Sequence, residues 1–139
     1  MKSPLVTWAR FAWVLLVPLA GCAATTGPDQ SVSTGVWGGD HANLTIDAAS
    51  AAIEFDCAHG TLSAPIALDR DEFDVAGMFV AEHGGPIRVD EVIVQQPARY
   101  RGSVEGRRMT LRVRLVDGAQ DLGTYTLTLG TPGRVFKCL

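Results

Sequence analysis

Positions 109–115 decide the fold class, and they read Met109-Thr110-Leu111-Arg112-Val113-Arg114-Leu115. Apolar side chains occupy every second position and polar side chains occupy the positions between them. This period of two is typical of a β-strand with one buried and one solvated face. Positions 124–129 repeat the pattern, and no segment from 35 onward carries a helical period of useful length. The sequence therefore predicts an all-β fold.

The remaining alternating segments lie on both sides of this pair. They span positions 43–47, 52–56, 61–68, 72–81, 98–105 and 135–139, which makes about eight strands in all. Short links rich in Asp, Gly and Pro join most neighbours, so we predict a small antiparallel meander. A closed β-barrel is favoured over a sandwich because closure removes exposed strand edges. The longer link at 82–97 leaves room for an additional strand over 87–94.

The amino-terminal 21 residues have the pattern of an export signal. Lys2 and Arg10 precede an uncharged run over 11–21, which is too short to span a bilayer. Positions 19–22, Leu19-Ala20-Gly21-Cys22, resemble the lipobox of bacterial lipoproteins. That resemblance implies cleavage before Cys22 and a lipid, such as palmitate, on Cys22. The alternative is an ordinary secretory signal with a cysteine near its cleavage site.

This interpretation divides the chain into a signal peptide at 1–21, a flexible tether at 22–34 and one barrel domain at 35–139. The protein is then anchored to the cell envelope, at the outer membrane in a cell with two membranes, because Ala23 follows the cysteine. Removing Lys2 and Arg10 leaves 12 − 2 = 10 basic residues against 15 acidic ones, a formal charge of −5. An acidic chain of this kind argues against a nucleic-acid partner.

Three cysteines are an odd number for an exported protein. If Cys22 carries the lipid, Cys57 and Cys138 remain, and an oxidising compartment favours a disulfide between them. The alternative is a free Cys57 that serves as a metal ligand or nucleophile.

The body of the chain resembles a small lipocalin-like barrel. Gly35-Val36-Trp37 is similar to the Gly-x-Trp that opens the first strand of that superfamily, and the resemblance implies that Arg134 stacks on Trp37. It implies an architecture but no cargo, and leaves open whether the interior holds a small apolar ligand or is filled by side chains. Positions 37–41 and 55–60 also resemble bacterial envelope lipoproteins of uncharacterised families.

Every histidine in the chain lies within three positions of a carboxylate. The proposed topology brings these residues to one rim of the barrel, near the entry of the first strand. The predicted rim cluster comprises Trp37, Asp40, His41, Asp56, His59, Glu82 and His83. Three imidazoles around one point would suit zinc, but their spacing matches no compact metal motif. The alternative is that they hydrogen-bond backbone groups at strand ends.

A stripe of arginines alternates along two neighbouring predicted strands. Its members are Arg99, Arg101, Arg107, Arg108, Arg112 and Arg114. We expect a solvated outer face whose arginines pair with acids across strands. The alternative is contact with lipid headgroups or with an anionic envelope polymer.

Together these features predict a membrane-anchored envelope lipoprotein with a noncatalytic structural or binding barrel, whose partner is an envelope protein or a small apolar ligand. We predict no catalytic residue, metal or cofactor. The alternative is a metal-binding, possibly hydrolytic, domain that uses His41, His59 and His83.

Overall fold

A computed structural model describes residues 30–139 and shows eight antiparallel strands that close into a barrel. Each strand pairs with the next along the chain, and the last returns to the first. The strands are β1 (Gly35–Gly39), β2 (Ala42–Ile46), β3 (Ala51–Phe55), β4 (Ala58–Leu62), β5 (Glu72–Ala81), β6 (Gln96–Glu105), β7 (Arg108–Leu115) and β8 (Asp121–Leu129). The predicted all-β closed barrel is confirmed. The predicted signal peptide, Cys22 and the predicted tether as far as residue 29 lie outside the described residues.

The barrel core follows directly from the alternation in sequence. In β7, Met109, Leu111, Val113 and Leu115 are buried while the residues between them are exposed. The neighbouring strands add their own inward side chains, and no polar or charged residue is buried among residues 30–139. The largest fully buried side chains are Trp37, Leu44, Ile46, Ile53, Ile66, Tyr100, Met109, Leu111, Val113 and Leu127. These apolar groups fill the interior, and their burial is the main stabilising term of the fold.

Tyr100 brings a hydroxyl group into this interior, and two glycines make room for it. A Cβ atom on Gly60 would lie 2.2 Å from the Tyr100 hydroxyl, and one on Gly77 would lie 2.8 Å from its ring. The hydroxyl donates to the carbonyl oxygen of Met78 at 2.8 Å. Desolvation raises the pKa of Tyr100, so this donor stays protonated.

The two ends of the barrel differ. We call the end with turns 40–41 and 56–57, loop 82–95 and link 116–120 the upper end, and the opposite end the lower end. At the lower end Val32 donates to the Ile66 carbonyl at 2.9 Å, and both side chains are buried. Residues 30–33, which the sequence assigned to the tether, therefore pack against the barrel.

Some predicted strands differ from those observed. The alternating segments began at 43–47, whereas the first observed strand is β1 at Gly35–Gly39. The predicted last strand at 135–139 does not form. Positions 87–94 form no strand either, and the predicted strand 61–68 divides, because β4 ends at Leu62 shortly before Pro65. Proline has no backbone N–H to continue a ladder. No helix among residues 30–139 is long and apolar enough to cross a membrane.

Shortening a buried side chain should lower the stability of the folded barrel. Leu111→Ala removes a fully buried side chain of β7, and we expect the free energy of unfolding to fall by about 2–5 kcal/mol. Thr110→Ala, its outward-facing neighbour, should change it by less than about 0.5 kcal/mol. Urea unfolding followed by tryptophan fluorescence measures both. Equal losses in the two variants would contradict the assigned orientation of β7.

Candidate functional site

The upper end of the barrel is organised by the C-terminal segment, residues 130–139. From the end of β8 this segment turns back and runs parallel to β1, with bridges Trp37↔Thr131 and Asp40↔Arg134. It then passes over turn 56–57 and reaches Gly84, where a Cβ atom would lie 2.1 Å from the Leu139 carbonyl oxygen. The segment therefore wraps around the outside of the upper end.

Gly38 allows the segment to approach β1 this closely. Trp37 points into the core, so the next residue along the strand faces outward. A Cβ atom on Gly38 would lie 2.2 Å from both the Gly133 nitrogen and the Thr131 carbonyl oxygen. No side chain fits in that space.

A disulfide between Cys57 and Cys138 fixes the far end of the segment. Their Cα atoms are 4.9 Å apart across a separation of 81 residues, and the bond agrees with the predicted pairing. In the chain-entropy model a loop of this size contributes about 4.5 kcal/mol to stability by restricting the unfolded chain. The disulfide thus ties the carboxyl end of the chain to the β3–β4 turn.

Two turns beneath the segment contain a non-glycine residue in the left-handed conformation. His41 has φ 67° and Cys57 has φ 50°, which is unfavourable for residues with a Cβ atom. The segment satisfies the backbone N–H of both residues. His41 donates to the Arg134 carbonyl at 2.8 Å and Cys57 to the Phe136 carbonyl at 3.3 Å. The turns and the segment therefore stabilise each other.

The first charged contact pairs His41 with Asp56. The imidazole Nδ1 donates to one carboxylate oxygen at 2.5 Å, and the Phe136 backbone N–H donates to the other at 2.8 Å. The pKa of Asp56 lies below its ordinary value, first because of the Phe136 N–H and then because of His41. This carboxylate therefore joins the β1–β2 turn, the β3–β4 turn and the C-terminal segment.

The second contact is a chain of hydrogen bonds that links four side chains. His59 Nδ1 donates to Glu82 at 2.6 Å, and Lys137 bonds both to Glu82, at 3.2 Å, and to Glu54. Glu54 and His59 are directly opposite each other on β3 and β4. The pKa of Glu82 is lowered chiefly by the hydrogen bond from His59 and next by that from Lys137. Lys137 thus holds the segment to two carboxylates.

Two members of the predicted rim cluster do not join these contacts: His83 pairs within loop 82–95 at the same end, and Trp37 lies in the barrel core. His83 bonds to Glu91 within loop 82–95, and its pKa is raised by the Gly84 carbonyl and then by that carboxylate. Trp37 is fully buried in the core, where its indole N–H donates to the Ser33 carbonyl at 2.9 Å.

Arg134 does not stack on this buried indole. Its guanidinium is 77% exposed and bonds to Asp40 at 2.5 Å. The predicted cation–ring contact is therefore corrected to a surface ion pair at the β1–β2 turn.

The structure brings Asp40, His41, Asp56, His59 and Glu82 to the upper end, where each contacts a residue of the C-terminal segment or pairs with one that does. Each histidine pairs with a different carboxylate. Among residues 30–139 no group of three or more His, Cys, Asp or Glu side chains could hold a metal ion. This geometry gives the three-histidine metal site no support.

Sequence reasoning missed Glu54 and Lys137. The signal was available in the predicted disulfide, because Lys137 precedes Cys138 and the bond must bring it to the β3–β4 turn. Glu54 lies on β3 just before that turn, where an acid beside an incoming lysine is a natural partner.

Low pH should weaken the contacts of Asp56 and Glu82 at the upper end and so lower the stability of the fold. The lowered pKa values of Asp56 and Glu82 mean that their ionised forms stabilise the folded state above their ordinary pKa, about 4. That stabilisation is lost as the pH falls through the lower folded values. We expect the urea midpoint to fall between pH 5 and pH 3 (roughly the span of that titration), and to fall less in Asp56→Asn/Glu82→Gln.

The matched control for this experiment is Asp71→Asn/Glu105→Gln, which removes two exposed carboxylates at the lower end, away from the C-terminal segment. Its pH dependence should follow that of the unmodified chain. A pH dependence in Asp56→Asn/Glu82→Gln as steep as in the control would show that these carboxylates do not hold the segment.

No family model, curated protein or solved structure matches this chain. Its likeness to lipocalins therefore consists of the closed eight-stranded barrel and the Gly35-Val36-Trp37 opening. An architecture shared with many binding proteins brings no ligand with it.

Proposed function

We propose that the chain is an exported lipoprotein, held at a membrane of the cell envelope by an acylated Cys22, and that its barrel is a noncatalytic structural or binding module acting through its outer surface. The observation that carries this proposal is the filled interior of the barrel. In a cell with two membranes, the residue after Cys22 favours the outer one.

The anchoring part of the proposal is supported by sequence and structure from opposite ends of the chain. The lipobox at positions 19–22 follows a charged start and an apolar run of the right length. At the other end, the Cys57–Cys138 disulfide suits an exported protein, because cytosolic thiols are kept reduced. Two or more acyl chains would anchor the protein firmly.

The surface-acting part is supported by the packing of the core. Trp37, Tyr100 and Met109 are fully buried and project into the space that a ligand would need in a carrier of this architecture. Tyr100 also forms its hydrogen bond within the barrel wall. The interior is therefore used for stability, and a partner would meet the outer face or the loops.

Acylation at Cys22 is tested by metabolic labelling with palmitate. We expect the full-length chain to incorporate the label, and Cys22→Ser to lose it and to persist as uncut precursor. Cys57→Ser/Cys138→Ser is the matched control, since it removes the other two thiols and should keep the label. Label retained by Cys22→Ser would refute the anchor.

The filled interior is tested with an apolar quencher. Trp37 is the sole tryptophan of residues 22–139 and lies in the core, so its fluorescence reports on the barrel interior. A nitroxide-labelled fatty acid should cause no saturable quenching of the folded chain, whereas acrylamide should quench strongly once urea has unfolded it. Saturable quenching in the folded state would instead assign a carrier function.

A further inference from the structure

Four arginines face outward as two directly opposed pairs on β6 and β7. The register places Arg99 opposite Arg114 and Arg101 opposite Arg112. Neighbouring strands lie about 4.8 Å apart, and successive outward positions along one strand lie about 7 Å apart. The Cα atoms of the four arginines therefore mark the corners of a small rectangle. Like charges directly opposite each other destabilise a sheet. We call this group the arginine face.

Two carboxylates form ion pairs with the arginine face, against its four positive charges. Asp74 of β5 contacts both Arg99, at 2.6 Å, and Arg101, at 2.7 Å. Asp121 of β8 accepts from Arg112 Nε at 2.8 Å. The predicted pairing with acids across strands is thus present for these three arginines.

Arg114 differs from the other three. Its Nε donates to the Ala119 carbonyl at 2.8 Å, and it forms no ion pair within residues 30–139, although Asp121 lies opposite it in the register of β7 and β8. Four arginines against the two carboxylates that contact them leave a surplus of two within this set, while Asp69 and Glu72 line the adjoining groove beside Arg101 and Arg112. The surrounding chain from residue 22 onward is acidic, so this face is a local reversal of its charge.

Apolar groups adjoin the arginine face. A groove of about 280 Å³ runs between the four arginines and is lined at its upper end by Leu115, Val116 and Ala119. Val116 is 52% exposed. Loop 82–95, at the same end and leading directly into β6, exposes further aliphatic side chains, namely Ile87, Val89, Val92, Ile93 and Val94. Guanidinium groups beside exposed aliphatic side chains match an interface of headgroups and acyl chains.

We propose that the arginine face docks the barrel onto the phosphate groups of anionic lipid headgroups. Guanidinium forks bind phosphate oxygens in bidentate geometry, and a lipid surface presents phosphates as a two-dimensional array that several arginines engage at once. Bound phosphates would neutralise the surplus charge that the sheet otherwise carries.

The choice of a lipid surface rests on the proposed anchoring at Cys22, and the path of the chain is compatible with it. Ser31 forms a bridge with Ala67, which lies in the link between β4 and β5. In the barrel, β5 is the neighbour of β6. Residues 22–29 can reach at most about 26–29 Å when extended. A barrel whose axis is parallel to the membrane can therefore place the arginine face on the membrane that holds the anchor.

The test uses the chain from residue 22 without acyl chains, carrying Cys22→Ser. The closed barrel, its core and its disulfide are formed by residues 30–139, all of which this chain contains. We expect it to sediment with vesicles of phosphatidylcholine and phosphatidylglycerol but not with phosphatidylcholine alone, and high salt should release it. Binding of inorganic pyrophosphate is measured separately, to distinguish free phosphate groups from those of a lipid surface.

The decisive variant is Arg101→Gln/Arg114→Gln. It removes the surplus of two charges while Arg99 keeps Asp74 and Arg112 keeps Asp121. Each arginine near an anionic surface contributes about a fivefold factor, so vesicle binding should weaken about 30-fold. The melting temperature should stay the same or rise, because opposed like charges are removed; a purely structural role would lower it.

The matched control is Arg70→Gln/Arg108→Gln, which makes the same charge change at two exposed positions toward the lower end. It should retain most of the vesicle binding. Equal weakening in both variants, no binding to anionic vesicles, or binding of pyrophosphate without vesicle binding would each overturn the proposal. Because the assay contains no acyl chains, these outcomes are independent of palmitate labelling at Cys22.

Discussion

Closure of the sheet between β1 and β8 is the constraint on which the rest of the structure depends. These two strands share only the register pair Gly38↔Thr128, whereas β6 and β7 share eight. The C-terminal segment completes the seam with backbone bonds from Gly130 to Val36 and from Arg134 to Gly39. The disulfide at Cys138 holds that segment in place, so a covalent bond at one rim supports closure along the whole barrel.

Closure also determines which surfaces are available for function. An eight-stranded barrel has an interior just wide enough for its own side chains, and here Trp37 and Tyr100 occupy much of it. Polar chemistry is consequently confined to the outer face and the two ends. The chain uses these regions differently: the upper end carries mixed charges that bond to one another, and β6 and β7 carry arginines in excess of their acids.

The two charged regions have opposite consequences for stability. At the upper end, His59 and Lys137 both donate to Glu82, and Lys137 also donates to Glu54, so each added contact favours the folded C-terminal segment. These groups are partly exposed and each contact is individually weak. On the arginine face, like charges oppose each other across the strands. The anionic lipid surface proposed as its partner would offset this repulsion.

The sequence by itself determined the all-β class, the closed meander, most strand positions and the cysteine pairing. Alternation is a local property, visible in residues such as Met109, Leu111 and Val113, and the Cys57–Cys138 bond followed from counting thiols. Only the tertiary structure decided the path of residues 130–139, the partner of each histidine and the surplus charge beside Arg114. Those contacts join residues up to 94 positions apart, as Asp40 and Arg134 show, and depend on register and on close approach at Gly38, which no local pattern encodes.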